Sequence, residues 1–400
     1  MKGNLRSALR HRDFRWLWLG QSASALGDQL SVVAIAALVI GAGHGAGGLG
    51  LVLAGRSLAL VLFMVAGGLV GDRAQRTHVM IAADAFRVLA VAALALAPDD
   101  APVLVFAALT FVVGAGEAFF QPAYRAVLPS LLPDAELEAG NALTALARQI
   151  SFVAGPALAG VLNAVASARA ALWADALTFL VSCATLVAIR EPLRAAAPDR
   201  LSIRREVAEG FRAVLDRPWI GLGIAMATSH LVFALAPWFV LLPVIATTEL
   251  GGADVFGALL AVDGVGAIVG ALLAARWRPR LPGVVALIAL LPSGFVLLTL
   301  IGPAPLAVVG IWVLLSGVGE AVFDVYWTTG IQRDVPEHLL ARVFSLDYVG
   351  SLALMPLGYA LTGPAVDAFG RDAVLVVGTA VVLVSTLPLL AVPSVRRFAR

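Results

Sequence analysis

About 20 consecutive apolar residues suffice to carry a helix across the hydrocarbon core of a bilayer. Runs of that size recur twelve times along this chain, over residues 14–41, 50–71, 77–97, 102–122, 138–164, 170–189, 219–248, 255–275, 283–302, 304–329, 341–365 and 372–393. The pattern predicts an all-α polytopic membrane protein with twelve transmembrane helices. A basic N-terminus (Lys2, Arg6, Arg10, Arg12, Arg15) precedes a long first run with no small-residue cleavage site after it, so the first run is expected to be an uncleaved span.

The two halves match without gaps at a shift of 203 residues. Asp13 and Trp16 fall on Asp216 and Trp219, Gly67 on Gly270, Arg73 on Arg276, Pro133 on Pro336, Gly155 on Gly358 and Gly160 on Gly363. Gly114-Ala-Gly-Glu117-Ala-Phe119 lies beside Gly317-Val-Gly-Glu320-Ala-Val322-Phe323, with a slip of one residue at the phenylalanine. Six spans fall in each half. The expected architecture is two pseudo-symmetric six-helix bundles (6+6), a parallel duplication about an axis along the membrane normal, as in transporters that rock two halves about a central site. The predicted domains are residues 1–189, a cytoplasmic linker over 190–217, and 218–400. Within the linker, Ile203, Val207, Phe211 and Val214 recur at helical spacing opposite Arg204, Arg205, Glu206, Glu209 and Arg212, which predicts a short amphipathic helix on the bundle or the headgroups.

Composition closes off other classes. The chain is 60% hydrophobic and 14% charged, with a mean hydropathy of +0.93. A soluble domain is about 45–50% apolar and roughly 25% charged, so a water-soluble fold, a disordered chain and a disulfide scaffold are all excluded. Cys183 is the single cysteine. Lys2 is the single lysine and sits in no G-x-x-x-x-G-K-[ST] frame, so no P-loop is present. His11, His44, His78, His230 and His338 show no metal-ligand spacing, and neither a metal nor a cofactor is expected. Gly45-Ala-Gly47-Gly48-Leu-Gly50 spells G-x-G-x-x-G, but no strand precedes it, and it is expected to be a flexible loop.

The basic residues give the orientation. With the N-terminus inside, 23 of them fall in inside segments, Arg169 and Arg371 fall outside, and Arg56, Arg87 and Arg148 lie within spans. This bias predicts cytoplasmic N- and C-termini in a bacterial inner membrane and a bilayer, not nucleic acid, as the partner.

The loop after the second run reads Gly68-Leu-Val-Gly71-Asp72-Arg73-Ala-Gln75-Arg76-Thr77. It resembles the signature loop of the major facilitator superfamily, with Gln75 and Thr77 departing from it. Gly155-Pro156-Ala-Leu-Ala159-Gly160 is similar to the antiporter motif of that superfamily, with Ala159 in place of a glycine. Phe14 to Gln21, Leu26-Gly27-Asp28, Asp84 to Arg87, Gln121-Pro122-Ala123, Leu128-Pro129 and Asn141-Ala142-Leu143 resemble the twelve-span drug:proton antiporter branch that includes macrolide and enterobactin exporters. Asp72 and Arg125 lie at the same membrane face. They are expected to pair, near the start of the eleventh span at Ala341, and to latch the outward-open state.

The resemblance implies that spans 1, 4, 7 and 10 line a central cavity. Asp28, Glu117, His230, Glu320 and Asp324 lie on those spans. At about 1.5 Å per residue, Glu117 sits roughly 8 Å from the cytoplasmic end of its span, Asp28 roughly 21 Å into its own, and Arg87 and Arg148 each about 15 Å deep. A charge in hydrocarbon costs at least about 2.5–3.5 kcal/mol, so each needs a reason. Glu320 and Asp324 are four apart and share a helix face, where two carboxylates at low dielectric rarely both ionise. Asp28, Glu117, Glu320 and Asp324 are therefore the candidate proton carriers. Asp84, Arg87 and Arg148 are candidate ion-pair partners, with either of the latter two arginines able to neutralise Asp28 or Glu117. Phe119, Phe120, His230, Phe233, Trp238, Phe323, Tyr326 and Trp327 are the candidate lining of the substrate cavity, and that wall suits flat or amphipathic molecules, cations among them.

The sequence therefore predicts a secondary transporter, not an enzyme, working as a monomer. The resemblance implies that it exports a small amphipathic or hydrophobic compound, by proton antiport through alternating access. The alternatives are a proton-independent facilitator or nutrient importer of the same fold, and a non-transporting membrane protein such as a lipid scramblase.

Overall fold

The computed structural model describes residues 5–133, 136–191, 203–302 and 304–397. Backbone groups in a bilayer have no water to bond, so each segment must satisfy them internally, as a helix does. Among the described residues, twelve helices are long and apolar enough to cross a membrane. Spans 1–6 are Arg12–Gly41, Gly45–Met64, Arg76–Leu96, Val103–Ser130, Ala139–Val165 and Ala168–Val187. Spans 7–12 are Pro218–Thr248, Asp254–Arg276, Pro282–Thr299, Leu306–Asp334, Arg342–Phe369 and Arg371–Ala391. Among the described residues no strand is present.

Local chemistry sets the ends. Pro218 and Pro282 open spans 7 and 9, where a missing N–H costs nothing. The Ser167 hydroxyl accepts from the Ala170 N–H at 3.2 Å and caps span 6. Gly251 and Gly252, with φ of 111° and 148°, turn the chain between spans 7 and 8.

The chain divides into two compact units, residues 1–194 with 246–261, and 195–245 with 262–400. The first unit thus includes a segment that the expected division at 190–217 assigned to the second half. A close approach of small residues accompanies this: a Cβ built on Gly257 would lie 2.4 Å from the Pro156 carbonyl oxygen, and one on Gly160 would lie 3.1 Å from that of Asp254. Gly155, Pro156 and Gly160 of the span-5 motif are therefore packing positions. Gly155 also accommodates Gln29 of span 1, whose Cβ is 2.3 Å from the built atom.

Three local expectations are corrected. Residues 45–50 are the first turns of span 2, not a flexible loop. Span 7 carries a π-helical turn at Leu231–Leu235. Pro237, which follows it, has no N–H to offer the Phe233 carbonyl, and the extra residue of a π turn absorbs the mismatch. Span 11 breaks between the helices Glu337–Leu352 and Met355–Phe369, because Pro356 withholds the N–H that Leu352 would need.

The linker forms a helix at Ile203–Leu215, although the side chains of 203–207 lie outside the described ones. Gly210 and Ala213 are buried, and of the predicted apolar stripe Val214 packs on the core of the second unit. Gly210 sits on span 11, where a built Cβ would be 3.2 Å from that of Arg342, and Glu209 pairs with Arg342. Phe211 and Leu215 remain exposed.

Candidate functional site: a buried charge network beside a cavity

The first unit holds six ionisable side chains in one cluster. Arg87 of span 3 is its centre, at 2% exposure. It reaches across span 4 at Gly116, where a Cβ would lie 2.6 Å from its own Cγ. Its guanidinium lies 3.9 Å from the centroid of Phe179, a cation–π contact at a buried site. It pairs with Asp28, and through Nη1 with Asp84 Oδ1 at 3.2 Å. Arg56 of span 2 binds Glu117 Oε2 at 3.1 Å and lies 3.7 Å from Asp28 Oδ1. Asp28 therefore bridges two arginines. Asp175 of span 6, fully buried, lies behind span 1 at Gly27, where a Cβ would come within 2.5 Å of its Oδ1. Its Oδ2 and the Oδ2 of Asp84 accept no hydrogen bond among the described residues.

Two guanidinium groups, which keep their charge in any protein, thus face four carboxyl groups. The site can exist fully ionised only with an excess of negative charge in a medium that penalises it.

A cavity of about 90 Å³ opens beside this network, bounded by Trp18, Gln21, Asp28, Phe120, Tyr124 and Arg148 among others. Arg148 was expected to neutralise Asp28 or Glu117. It does not: Arg56 and Arg87 hold those carboxylates. Arg148 is exposed at the cavity and makes no ion pair among the described residues. Arg56 has its reason in the crossing of spans 2 and 4, where Gly114 lets its backbone approach; a Cβ there would be 2.2 Å from the Arg56 carbonyl oxygen.

The second unit repeats the packing without the cations. Gly317, the repeat of Gly114, seats Asp263 of span 8, whose carbonyl oxygen would be 2.2 Å from a Cβ there. This sets the Asp263 carboxyl beside Glu320, one turn on, which accepts from Ser316 Oγ at 3.1 Å. Every arginine of spans 7–12 lies at a span end. Glu320 and Asp324 share a helix face as expected, but each interacts with an acid of another span, Glu320 with Asp263 and Asp324 with Asp347. Asp347 accepts from Trp327 Nε1 at 3.1 Å.

Several expected cavity residues serve packing. Trp327 and Tyr326 are each 6% exposed, although Tyr326 also borders a second cavity of about 320 Å³ beside Trp277 and Arg333. Trp327 lies over Gly223 and stacks on Phe323, and the Tyr326 hydroxyl donates to the Trp277 carbonyl at 2.8 Å. Trp238 is buried beside Phe239, and Phe119 packs on Phe63. His230 Nε2 lies 3.0 Å from Ser385 Oγ and 3.1 Å from Thr386 Oγ1, tying span 7 to span 12. Phe233 is half exposed on the π turn. Phe120 does line the cavity of the first unit.

In the loop motif, the close approach belongs to Gly67, where a Cβ would be 2.2 Å from the Ala118 carbonyl oxygen, and not to Gly68, which faces open space. Arg76 donates to the Ala126 carbonyl at the end of span 4. Glu191, unremarked in the sequence, accepts from the Thr77 N–H and hydroxyl, each at 3.0 Å, and so caps span 3. Arg73 and Arg125 are exposed, and the side chain of Asp72 lies outside the described ones.

The chain matches the family described as transmembrane secretion effector over residues 5–398. It is 28% identical over 391 residues to the multidrug efflux pump Tap of Mycobacterium tuberculosis, covering 93% of this chain and 91% of that one. It is 26% identical over 400 residues to the enterobactin exporter EntS of Escherichia coli, covering 95% and 94%. With macrolide efflux protein A of Streptococcus pyogenes it shares 25% identity over 366 residues, covering 89% and 90%. Among solved structures, a bacterial homologue of the human lysosomal transporter Spinster, inward-facing and unoccupied, superposes with a TM-score of 0.71 at 16% identity over 100% of this chain and 98% of that one. The nucleoside transporter NupG gives 0.74 at 11% identity, covering 94% and 99%. The fold, the helix count and the match along nearly its whole length agree: this chain is a multi-pass membrane transporter, not an enzyme, and belongs to the transmembrane secretion effector family of the major facilitator superfamily.

Proposed function

We propose that this protein exports a small amphipathic compound from the cytoplasm in exchange for protons. It would do so by alternating access of two six-span domains joined through 190–217, with both termini inside the cell. The observation that carries the proposal is the charge count of the first unit, four carboxyl groups around two arginines, with Asp84, Asp175 and Arg87 buried and Asp28, Glu117 and Arg56 partly exposed. A network of that composition reaches neutrality by binding protons. Releasing them, or letting a substrate change the pairing, links proton occupancy to the state of the site. Asp28 bridges both arginines and borders the cavity, which makes it the group that links proton occupancy of the network to the state of the cavity. Glu117, Glu320 and Asp324 are the further carriers, the last two with Asp263 and Asp347 in a bundle whose spans hold no interior arginine. Relatives named as multidrug, macrolide and enterobactin exporters support the direction and the amphipathic cargo. Asp72, Arg73, Arg76 and Arg125 would act in the conformational step.

The test is purified protein in liposomes loaded with a pH-sensitive dye, challenged with matched hydrophobic compounds. Proton movement provoked by a transported compound, and lost in Asp28→Asn, supports antiport. Transport of labelled compound with no proton movement at all would make the protein a facilitator.

A further inference from the structure

Arg148 has no carboxylate where its depth in the membrane demands one. Arginines within spans pair with acids or face a water-filled path, and both others in this unit are paired: Arg56 with Glu117 and Asp28, Arg87 with Asp28 and Asp84. Arg148 instead lines the cavity of about 90 Å³ between spans 1, 4 and 5 and makes no ion pair among the described residues. The charged residues bordering that cavity are Asp28, Arg87 and Arg148, and Asp28 is already held by two guanidinium groups. Of the charged groups that border the cavity, Arg148 is thus the one with no charged partner among the described residues. Its other polar groups are neutral, with Gln121 uncommitted among the described residues and Thr144 one turn from Arg148 on the same helix face. Its walls are aromatic. Trp18 gives its indole N–H to the Leu143 carbonyl at 3.1 Å, and Phe120 stacks on Tyr124 with centroids 6.2 Å apart.

We propose that Arg148 is the receptor for an acidic group on the transported compound, so that the preferred cargo is an amphipathic organic anion with an aromatic or alicyclic body and a carboxylate or a similar planar oxyanion. The guanidinium fork binds such a group through two parallel N–H donors, which a point cation does not match. The cavity, at about 90 Å³, seats the acidic group and the part of the body next to it against the aromatic wall, the rest of the body lying outside it, and Gln121 can donate to the same oxyanion. This runs against the preference for cations that the carboxyl groups of the spans suggest, because Asp84 and Asp175 are fully buried away from the cavity and Asp28, the carboxyl group that borders it, is held by two guanidinium groups.

The inference deepens the export reading and rests on it for the word cargo, and its test is one of binding that needs no proton coupling. Pyrenebutyrate, its methyl ester and pyrenebutylamine share one fluorescent body and differ in charge. Their affinities for purified wild type, Arg148→Gln and Arg148→Lys in lipid nanodiscs are measured by fluorescence anisotropy. The expected result is at least about tenfold tighter binding of the acid than of the ester or the amine by wild type. Arg148→Gln should abolish that preference while leaving the ester unchanged, and Arg148→Lys should keep part of it. Unchanged ester binding in Arg148→Gln also shows that the variant is folded. Equal affinities for all three probes in wild type, a preference for the amine, or an acid preference that survives Arg148→Gln would overturn the proposal. Acid preference with no proton flux in the liposome assay would leave the anion site standing and remove antiport.

Discussion

The centre of the account is Arg87, and its removal has a calculable consequence. Arg87→Met keeps most of the length of the side chain and deletes its charge. Two carboxylates lose a partner, but unequally. Asp28 retains Arg56 at 3.7 Å, whereas Asp84, fully buried, has Arg87 as its one ion-pair partner among the described residues. Breaking a buried pair by removing one member costs about 3–5 kcal/mol, and loss of the cation–π contact at 3.9 Å to Phe179 adds on the order of 1–2 kcal/mol. The sum, about 4–7 kcal/mol, is a ceiling, since Asp84 can take up a proton once the arginine is gone. The expected loss in reversible unfolding in mixed detergent micelles is therefore about 3–5 kcal/mol. The sharper statement concerns the double variant. Asp84→Asn removes the stranded charge, so Arg87→Met with Asp84→Asn should be more stable than Arg87→Met alone, with a coupling energy of at least about 1 kcal/mol. Asp28→Asn should rescue less. A loss under about 0.5 kcal/mol for Arg87→Met, or strictly additive losses in the double variant, would refute the network.

Three further outcomes follow from particular contacts. Gly116→Ala places a Cβ 2.6 Å from Arg87 Cγ, so overpacking of about 1–3 kcal/mol and a displaced guanidinium are expected, read as a lower melting temperature together with lost substrate-driven proton flux. Pro237→Ala restores an N–H to span 7 and should straighten the π turn; ligand binding in nanodiscs should be retained while the turnover rate falls several-fold, and an unchanged rate would show that the turn takes no part in the conformational cycle. Glu320→Gln should abolish uphill transport driven by a pH gradient yet preserve exchange of labelled for unlabelled compound, whereas loss of both would assign Glu320 to substrate binding.

How much of this was legible in the chain differs from element to element. The twelve spans are written as apolar runs, because length and hydropathy are properties of one segment. The repeat of 203 residues was equally plain, and it locates equivalent packing glycines: Gly67 and Gly270 each meet a span-4 or span-10 backbone carbonyl at 2.2 Å, as Gly114 and Gly317 meet span 2 and span 8. Pairing was not legible. Depth along a helix places Arg87 and Arg148 at the same level, but only the crossing of spans decides that Arg87 turns inward through the gap left by Gly116 while Arg148 faces the cavity. Arg56 stood among the intramembrane charges with no role for the same reason: its partner lies on span 4, 61 residues away. The aromatics misled because a tryptophan on a cavity-lining span also has a helix face toward its own bundle, and Gly223 makes room there for Trp327. One sequence signal would have helped. Gly27 repeats as His230 and Asp175 as Gly378, so the buried acid of one half becomes in the other a buried glycine, where a built Cβ would lie 2.4 Å from the Phe233 carbonyl oxygen, which marks the first half as the site of the charge network.

The central claim is that proton energy drives export through this network. The direct measurement is uphill accumulation of a transported fluorescent compound in proteoliposomes under an imposed pH gradient, before and after the gradient is collapsed with nigericin. The account predicts accumulation against the concentration gradient by wild type, abolished by nigericin, and only downhill equilibration by Asp28→Asn. Equilibration without accumulation by wild type, or accumulation indifferent to nigericin, would contradict it.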